Sequence, residues 1–186
     1  MALKLVLQLL GTPLPNAERV DLMATSTVTL TMARRFQTTE EKVFAAWTKP
    51  ELMKKWLLTS EATNQKAVNQ PVQGGSWEII DRRGGTDYRA IGNYIEVNPP
   101  HKLVFTFEMP EFNSLEDRIT VWISSVENSV EMAFIQEIVV PHEEGWTDED
   151  IKRAGMEFSG QSEEGWDQMF QNLQQLVEKP ASDEME

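Results

Sequence analysis

The stretch Trp166-Asp167-Gln168-Met169-Phe170-Gln171-Asn172-Leu173-Gln174-Gln175-Leu176-Val177 sets its apolar residues three and four apart for three turns. That spacing predicts an amphipathic helix with one face to bury. Pro180 stops it. Some twenty residues earlier, Thr147 stands ready to cap a helical run whose first turn is Asp148-Glu149-Asp150, negative charge at the positive end of the dipole. Between the two parts, Gly155, Ser159 and Gly160 are expected to interrupt the helix.

Upstream the pattern is β. Val28, Leu30 and Met32 alternate with threonines over residues 27–32, the mark of a half-buried strand. Two short helices follow. Thr38 and Glu41 stand at capping-box spacing ahead of Val43, Phe44 and Trp47; Pro50 suits the first turn of the second helix, whose stripe is Leu52, Met53 and Trp56. After a polar stretch from Ser60 to Gln70 comes a meander: Ser76–Arg82, Asp87–Val97, Lys102–Glu108, Ile119–Val126 and Val130–Val140, separated by short turns. Short turns require antiparallel neighbours rather than βαβ crossovers. The expected fold is α+β, a curved antiparallel sheet of about six strands. The only element long enough to cover its concave face is the terminal helix.

Composition bounds the chemistry. The 186 residues fit one domain plus tails: an extension over residues 1–25, a domain over 26–179 and an acidic tail over 180–186. With 40% hydrophobic residues, six tryptophans and eight phenylalanines, the chain can bury a substantial core. It has no cysteine, which excludes disulfides, thiolate catalysis and Cys-based zinc sites. His101 and His142 form no ligand-spaced cluster, so no metal and no cofactor is expected. The net charge is −13, and from His142 onward 13 acids face three bases. Like charge argues against nucleic acid or an anionic membrane as partner. No stretch approaches a membrane span, and a cytoplasmic location is expected.

Several segments, in order and at consistent spacing, carry a family resemblance: Arg34-Arg35-Phe36, Val43-Phe44, Trp47, Pro50-Glu51-Leu52 and Trp56; Gly74-Gly75 with Trp77; Gly92 through Tyr94, Glu96, Pro99-Pro100, Leu103, Phe105 and Phe107; and Gly165-Trp166 with Met169 and Leu173. Residues 27–178 thus resemble the START-like (SRPBCC) superfamily, in the branch named after the C-terminal domain of the heat-shock-protein-90 ATPase activator. The resemblance implies a helix-grip (START-like) fold with a cavity between sheet and long helix. Members bind lipids, hormones or polyketides, and a minority catalyse cyclisation or hydration. The chain departs from the pattern where the family often has Trp-Gly-Pro after its first tryptophan and this sequence has Leu57-Leu58-Thr59. It departs again where a histidine commonly precedes the Gly-Trp pair and this sequence has Ser162. His142-Glu143-Glu144-Gly145-Trp146 repeats that wording upstream, in the loop expected before the helix.

Candidate pocket residues are the inward strand positions and the helix face: Trp56, Trp77, Tyr94, Phe105, Phe107, Met132, Phe134, Trp166, Met169 and Phe170. Taken singly, each also suits plain core filling. Arg34 shares parity with Val28, Leu30 and Met32 and is expected to point inward, either holding a ligand carboxylate or pairing with Glu96, the pairing being preferred. Glu96 shares a strand face with Tyr94. Neither a nucleophile with a base nor a phosphate loop is present. The leading expectation is noncatalytic binding of an apolar or amphipathic small molecule by a monomer or homodimer. The alternatives are a stress-linked interaction module with a chaperone partner, and a small cyclase or dehydratase using Glu96 or Tyr94.

Overall fold

The inward parity of Leu30, Met32 and Phe36, all buried, defines the core face of β1 (Thr25–Phe36), which runs further at both ends than its alternation suggested. This is a computed structural model, and it describes residues 24–179. Residues 1–23 and 180–186, where most of the expected extension and the tail fall, lie outside the described residues. Thr25 already belongs to β1 and pairs with Pro141.

Two short helices follow, α1 (Glu40–Thr48) and α2 (Pro50–Met53). Thr39, rather than Thr38, caps α1, its hydroxyl accepting from the Lys42 N–H. The Thr38 hydroxyl instead donates to the Val177 carbonyl at 2.8 Å, tying the helix entry to the far end of the chain. Six further strands complete the sheet: β2 (Asn64–Asn69), β3 (Ser76–Arg83), β4 (Thr86–Asn98), β5 (Lys102–Phe107), β6 (Asp117–Val126) and β7 (Ser129–Pro141). All neighbours are antiparallel, in the order β1-β7-β6-β5-β4-β3-β2.

The sheet therefore has seven strands, not about six. The extra one, β2, lies inside the stretch read as polar. It is an edge strand, and Ala67 alone among its side chains packs on the core. It carries no inward alternation of large apolar residues to betray it.

The last helix, α3 (Asp148–Val177), is continuous across Gly155, Ser159 and Gly160, which corrects the expected interruption. Thr147 and Asp150 form a reciprocal capping box at its start. Gly155 is buried against β1, where an added Cβ would meet Val28 at 3.8 Å. A helical glycine costs about 1 kcal/mol. Burial of Trp166, Met169, Phe170, Leu173 and Val177, at roughly 1.5–3 kcal/mol per large side chain, outweighs it.

Trp47 of α1 sits at the centre of the space between sheet and α3. Its ring meets Trp56 edge-on at 4.7 Å and lies 5.8 Å from Phe105 and 6.1 Å from Trp166. Its indole N–H finds Met132 Sδ at 3.3 Å, and that of Trp56 the Ala46 carbonyl at 3.0 Å. With Phe134 and Phe170, these rings fill the half of the helix-grip cleft nearest α1.

Candidate functional site

The inward positions of β7 read Val130, Met132, Phe134, Gln136, Ile138 and Val140, all buried. Gln136 is the one polar side chain in that row, and a buried amide must find partners. Its Nε2 donates to Asp117 Oδ2 at 2.8 Å, and its Oε1 accepts from Ser162 Oγ at 2.6 Å and from Trp166 Nε1 at 2.8 Å. Asp117, at the inward parity of β6, accepts a second bond on Oδ1 from the Val139 N–H at 2.9 Å. Burial pushes the Asp117 carboxyl above the ordinary carboxylate range, and the bonds from Val139 and Gln136 pull partly against it.

This network forms one wall of a cavity of about 110 Å³, partly open to solvent, between the middle of α3 and the sheet. The apolar walls are Leu58, Phe107, Met109, Phe112, Leu115, Ile138, Val139, Phe158, Trp166 and Met169; Asn113, Gln161, Ser162 and Gly165 complete the lining with Asp117 and Gln136. Residues 109–116, between β5 and β6, supply four of these residues. Phe112 is held by parallel stacking on Tyr88, with centroids 6.0 Å apart.

Leu58 bounds the same cavity with φ at 59°, a left-handed conformation uncommon for a residue other than glycine. Its side chain is buried all the same. Its N–H points at Met169 Sδ, 3.3 Å away.

Of the candidate residues, Phe107, Trp166 and Met169 line this cavity. Trp56, Phe105, Met132, Phe134 and Phe170 are fully enclosed in the aromatic core. Trp77 is buried one strand further on, its N–H donating to the Thr106 carbonyl at 3.2 Å beside Gly92, where any Cβ would strike that carbonyl. Tyr94 is buried, and its hydroxyl is pushed up to about 12 by that burial, with Asn69 opposing.

The expected pairing of Arg34 with Glu96 does not form. Arg34 does face inward along β1, but it binds Asp167 of α3 and lies 5.8 Å over the Phe170 ring. Glu96 is on the opposite face of the sheet from Tyr94, because an irregularity at Ile95 shifts the register between them. It pairs there with Lys102 at 2.7 Å. His142 and Trp146 lie in the loop before α3, as read from Pro141 and the acidic run.

Asp117, Gln136 and Ser162, the polar residues of the site, were missed. The signal was present: a glutamine and an aspartate at the inward parity of otherwise apolar strands.

The arrangement is a helix-grip fold whose cleft narrows to a small apolar cavity with one hydrogen-bonded polar wall. Residues 37–178 match the model of the Activator of Hsp90 ATPase homolog 1-like protein family, and the chain belongs to that family. Similar solved structures include a Staphylococcus aureus protein of unknown function, 26% identical with a TM-score of 0.77, the match covering 83% of this chain and 95% of that one. A Rhodobacter sphaeroides protein is 20% identical with a TM-score of 0.63, over 80% and 91% of the two chains. A Chromobacterium violaceum protein is 18% identical with a TM-score of 0.64, over 82% and 98%. No curated protein sequence matches the chain. Among the described residues there is no cluster of three or more His, Asp or Glu placed to hold a metal, and no helix long and apolar enough to cross a membrane.

Proposed function

We propose that the protein binds an apolar or amphipathic small molecule in the cavity between α3 and the sheet, without transforming it. The observation that carries this reading is the buried Gln136 amide. Its bonds to Asp117, Ser162 and Trp166 hold a polar wall rigidly beside apolar ones, the composition typical of ligand sites.

Size limits the ligand. Apolar cavities of roughly 150 Å³ take a benzene-sized molecule, whereas drug-sized ligands fill roughly 300–1,000 Å³. At about 110 Å³ the cavity accommodates a single ring or the end of a chain. A larger ligand would extend through the open side of the cavity or displace part of its wall. Neither Glu96 nor Tyr94, the residues on which an enzyme reading rested, lines the cavity.

The test is saturable, one-to-one binding of a small neutral apolar probe such as benzyl alcohol, read from the Trp166 indole cross-peak and abolished by Phe158→Asp with the fold retained. Phe158 is only half-buried, so the charge can be introduced there without emptying the core. Absence of saturable binding would transfer weight to the protein-interaction reading, for which Trp122, 46% exposed on the outer face of β6, is the natural contact.

A further inference from the structure

We propose that the cavity selects an amine: a protonated amino group on a small apolar body, received by Asp117, in preference to an alcohol and above all to a carboxylate. The inference rests on the cavity being a ligand site and names the chemistry of what enters it.

Among the described residues Asp117 is the only ionisable one in the lining, which holds no Lys, Arg or His. Arg118, next in sequence to Asp117, pairs with Glu137 at 3.7 Å. An anionic ligand would therefore meet a like charge with no cation in the described lining to offset it. An ionised carboxylate offers about four acceptor sites. The structure uses two among the described residues, one on each oxygen, so acceptor capacity is left at the cavity wall.

Gln136 cannot compete for the ligand's donor. The Trp166 indole nitrogen can only donate, so the atom facing it must be the amide oxygen, and the Gln136 NH2 is turned to Asp117. That oxygen already accepts twice. Of the hydrogen-bonded wall, Asp117 alone thus keeps free acceptor capacity, and its ionised form carries a charge; Asn113 and Gln161 add neutral amides elsewhere in the lining. Burial disfavours that charge, and an arriving ammonium would relieve the penalty where a hydroxyl would do so only in part.

The experiment uses the full 186-residue protein, labelled with ¹⁵N and ¹³C, at pH 7, titrated separately with benzylamine, benzyl alcohol and benzoate. These share a ring that the cavity can hold and differ in the head group. Affinity is read from the Trp166 indole cross-peak and head-group contact from the ¹³C shift of the Asp117 carboxyl. Because the whole protein carries a net charge of −13, any cation gathers near it; the carboxyl shift separates contact from that atmosphere.

Benzylamine is expected to bind at least about tenfold more tightly than benzyl alcohol, the scale of a hydrogen bond to a charged group, and benzoate more weakly than either. Only benzylamine should move the Asp117 carboxyl strongly. Asp117→Asn should bring amine and alcohol within about threefold. Asparagine must turn its NH2 toward either Val139 or Gln136, both donors; if that variant fails to fold, the carboxyl titration in the unaltered protein decides. Benzoate binding as tightly as benzylamine, or a carboxyl indifferent to benzylamine, overturns the inference and leaves the binding reading standing. Failure of all three probes overturns the binding reading, and the inference with it.

Discussion

Gln136→Leu swaps a buried amide for an apolar side chain of similar shape and strands three partners at once. Trp166 Nε1 is the costliest. Its residue is only 3% exposed, and an unsatisfied buried donor costs about 1–3 kcal/mol. Ser162 is half-buried and its hydroxyl can rotate, which sets its loss near the lower end of that range. Asp117 keeps the Val139 N–H but loses its side-chain donor while remaining largely buried, a further cost of about 1 kcal/mol or more. Leucine recovers some apolar transfer energy. The net expected destabilisation is about 3–4 kcal/mol, or roughly 10 °C in Tm for a domain of this size. Chemical denaturation measures it directly. A double-mutant cycle with Trp166→Phe isolates the cause, because phenylalanine has no N–H to strand. In that background Gln136→Leu should cost about 1–3 kcal/mol less than in the wild type. Additivity within about 0.5 kcal/mol, the behaviour of independent sites, would refute the claim that Gln136 and Trp166 act as one hydrogen-bonded unit.

Three further outcomes follow from the fold. Leu58→Gly relieves a left-handed conformation worth about 1–2 kcal/mol but removes a buried side chain, for which large-to-small changes cost about 2–5 kcal/mol. Urea titration should show a net loss near 1–3 kcal/mol, and benzyl alcohol should bind the enlarged cavity more tightly. Lys66 and Arg89, bonded to Glu78, hold its carboxyl below the usual range. With the folded pKa depressed, the stabilisation is present above the unfolded value near 4.3 and disappears as pH falls through the folded one. Glu78→Gln should therefore lower Tm at pH 7, with the gap from wild type closing at acid pH; a gap independent of pH would contradict the ion-pair assignment. Ending the chain at Gly160 deletes Trp166, Met169, Phe170, Leu173 and Val177, all buried. At roughly 1.5–3 kcal/mol per side chain the loss is as large as the 5–15 kcal/mol a domain commands, so that chain should be molten or aggregating, and a cooperative melt would overturn the role given to α3.

Most of the architecture was legible because it rests on periodicity. The alternation of Val28, Leu30 and Met32, and the stripe from Trp166 to Val177, each force one face inward whatever surrounds them. What escaped depends on neighbours. Strand β2 is wet along most of its length and owes its conformation to pairing with β3. Gly155 and Gly160 lower local helix propensity, yet tertiary burial along α3 overrides them. The Arg34–Glu96 expectation assumed unbroken parity along β4, and the irregularity at Ile95 sends Glu96 to the other face. The aromatic inventory was sound but did not say which rings fill space and which leave some. That division depends on where Trp47 sits, wedged against Trp56 and Met132. The cavity is consequently displaced toward residues 109–116 and the middle of α3.

The central claim is that ligand enters at the Gln136 wall rather than on the sheet exterior, and two indole signals distinguish these. Trp166 bonds to Gln136 inside the cavity; Trp122 lies on the outer face of β6 beneath the Lys102 ammonium, 4.3 Å from its ring. In a ¹H–¹⁵N titration with benzyl alcohol, a neutral probe small enough for the resting cavity, the Trp166 indole cross-peak should shift and saturate while that of Trp122 stays fixed. A Trp122 signal that moves while Trp166 stays still would contradict the claim.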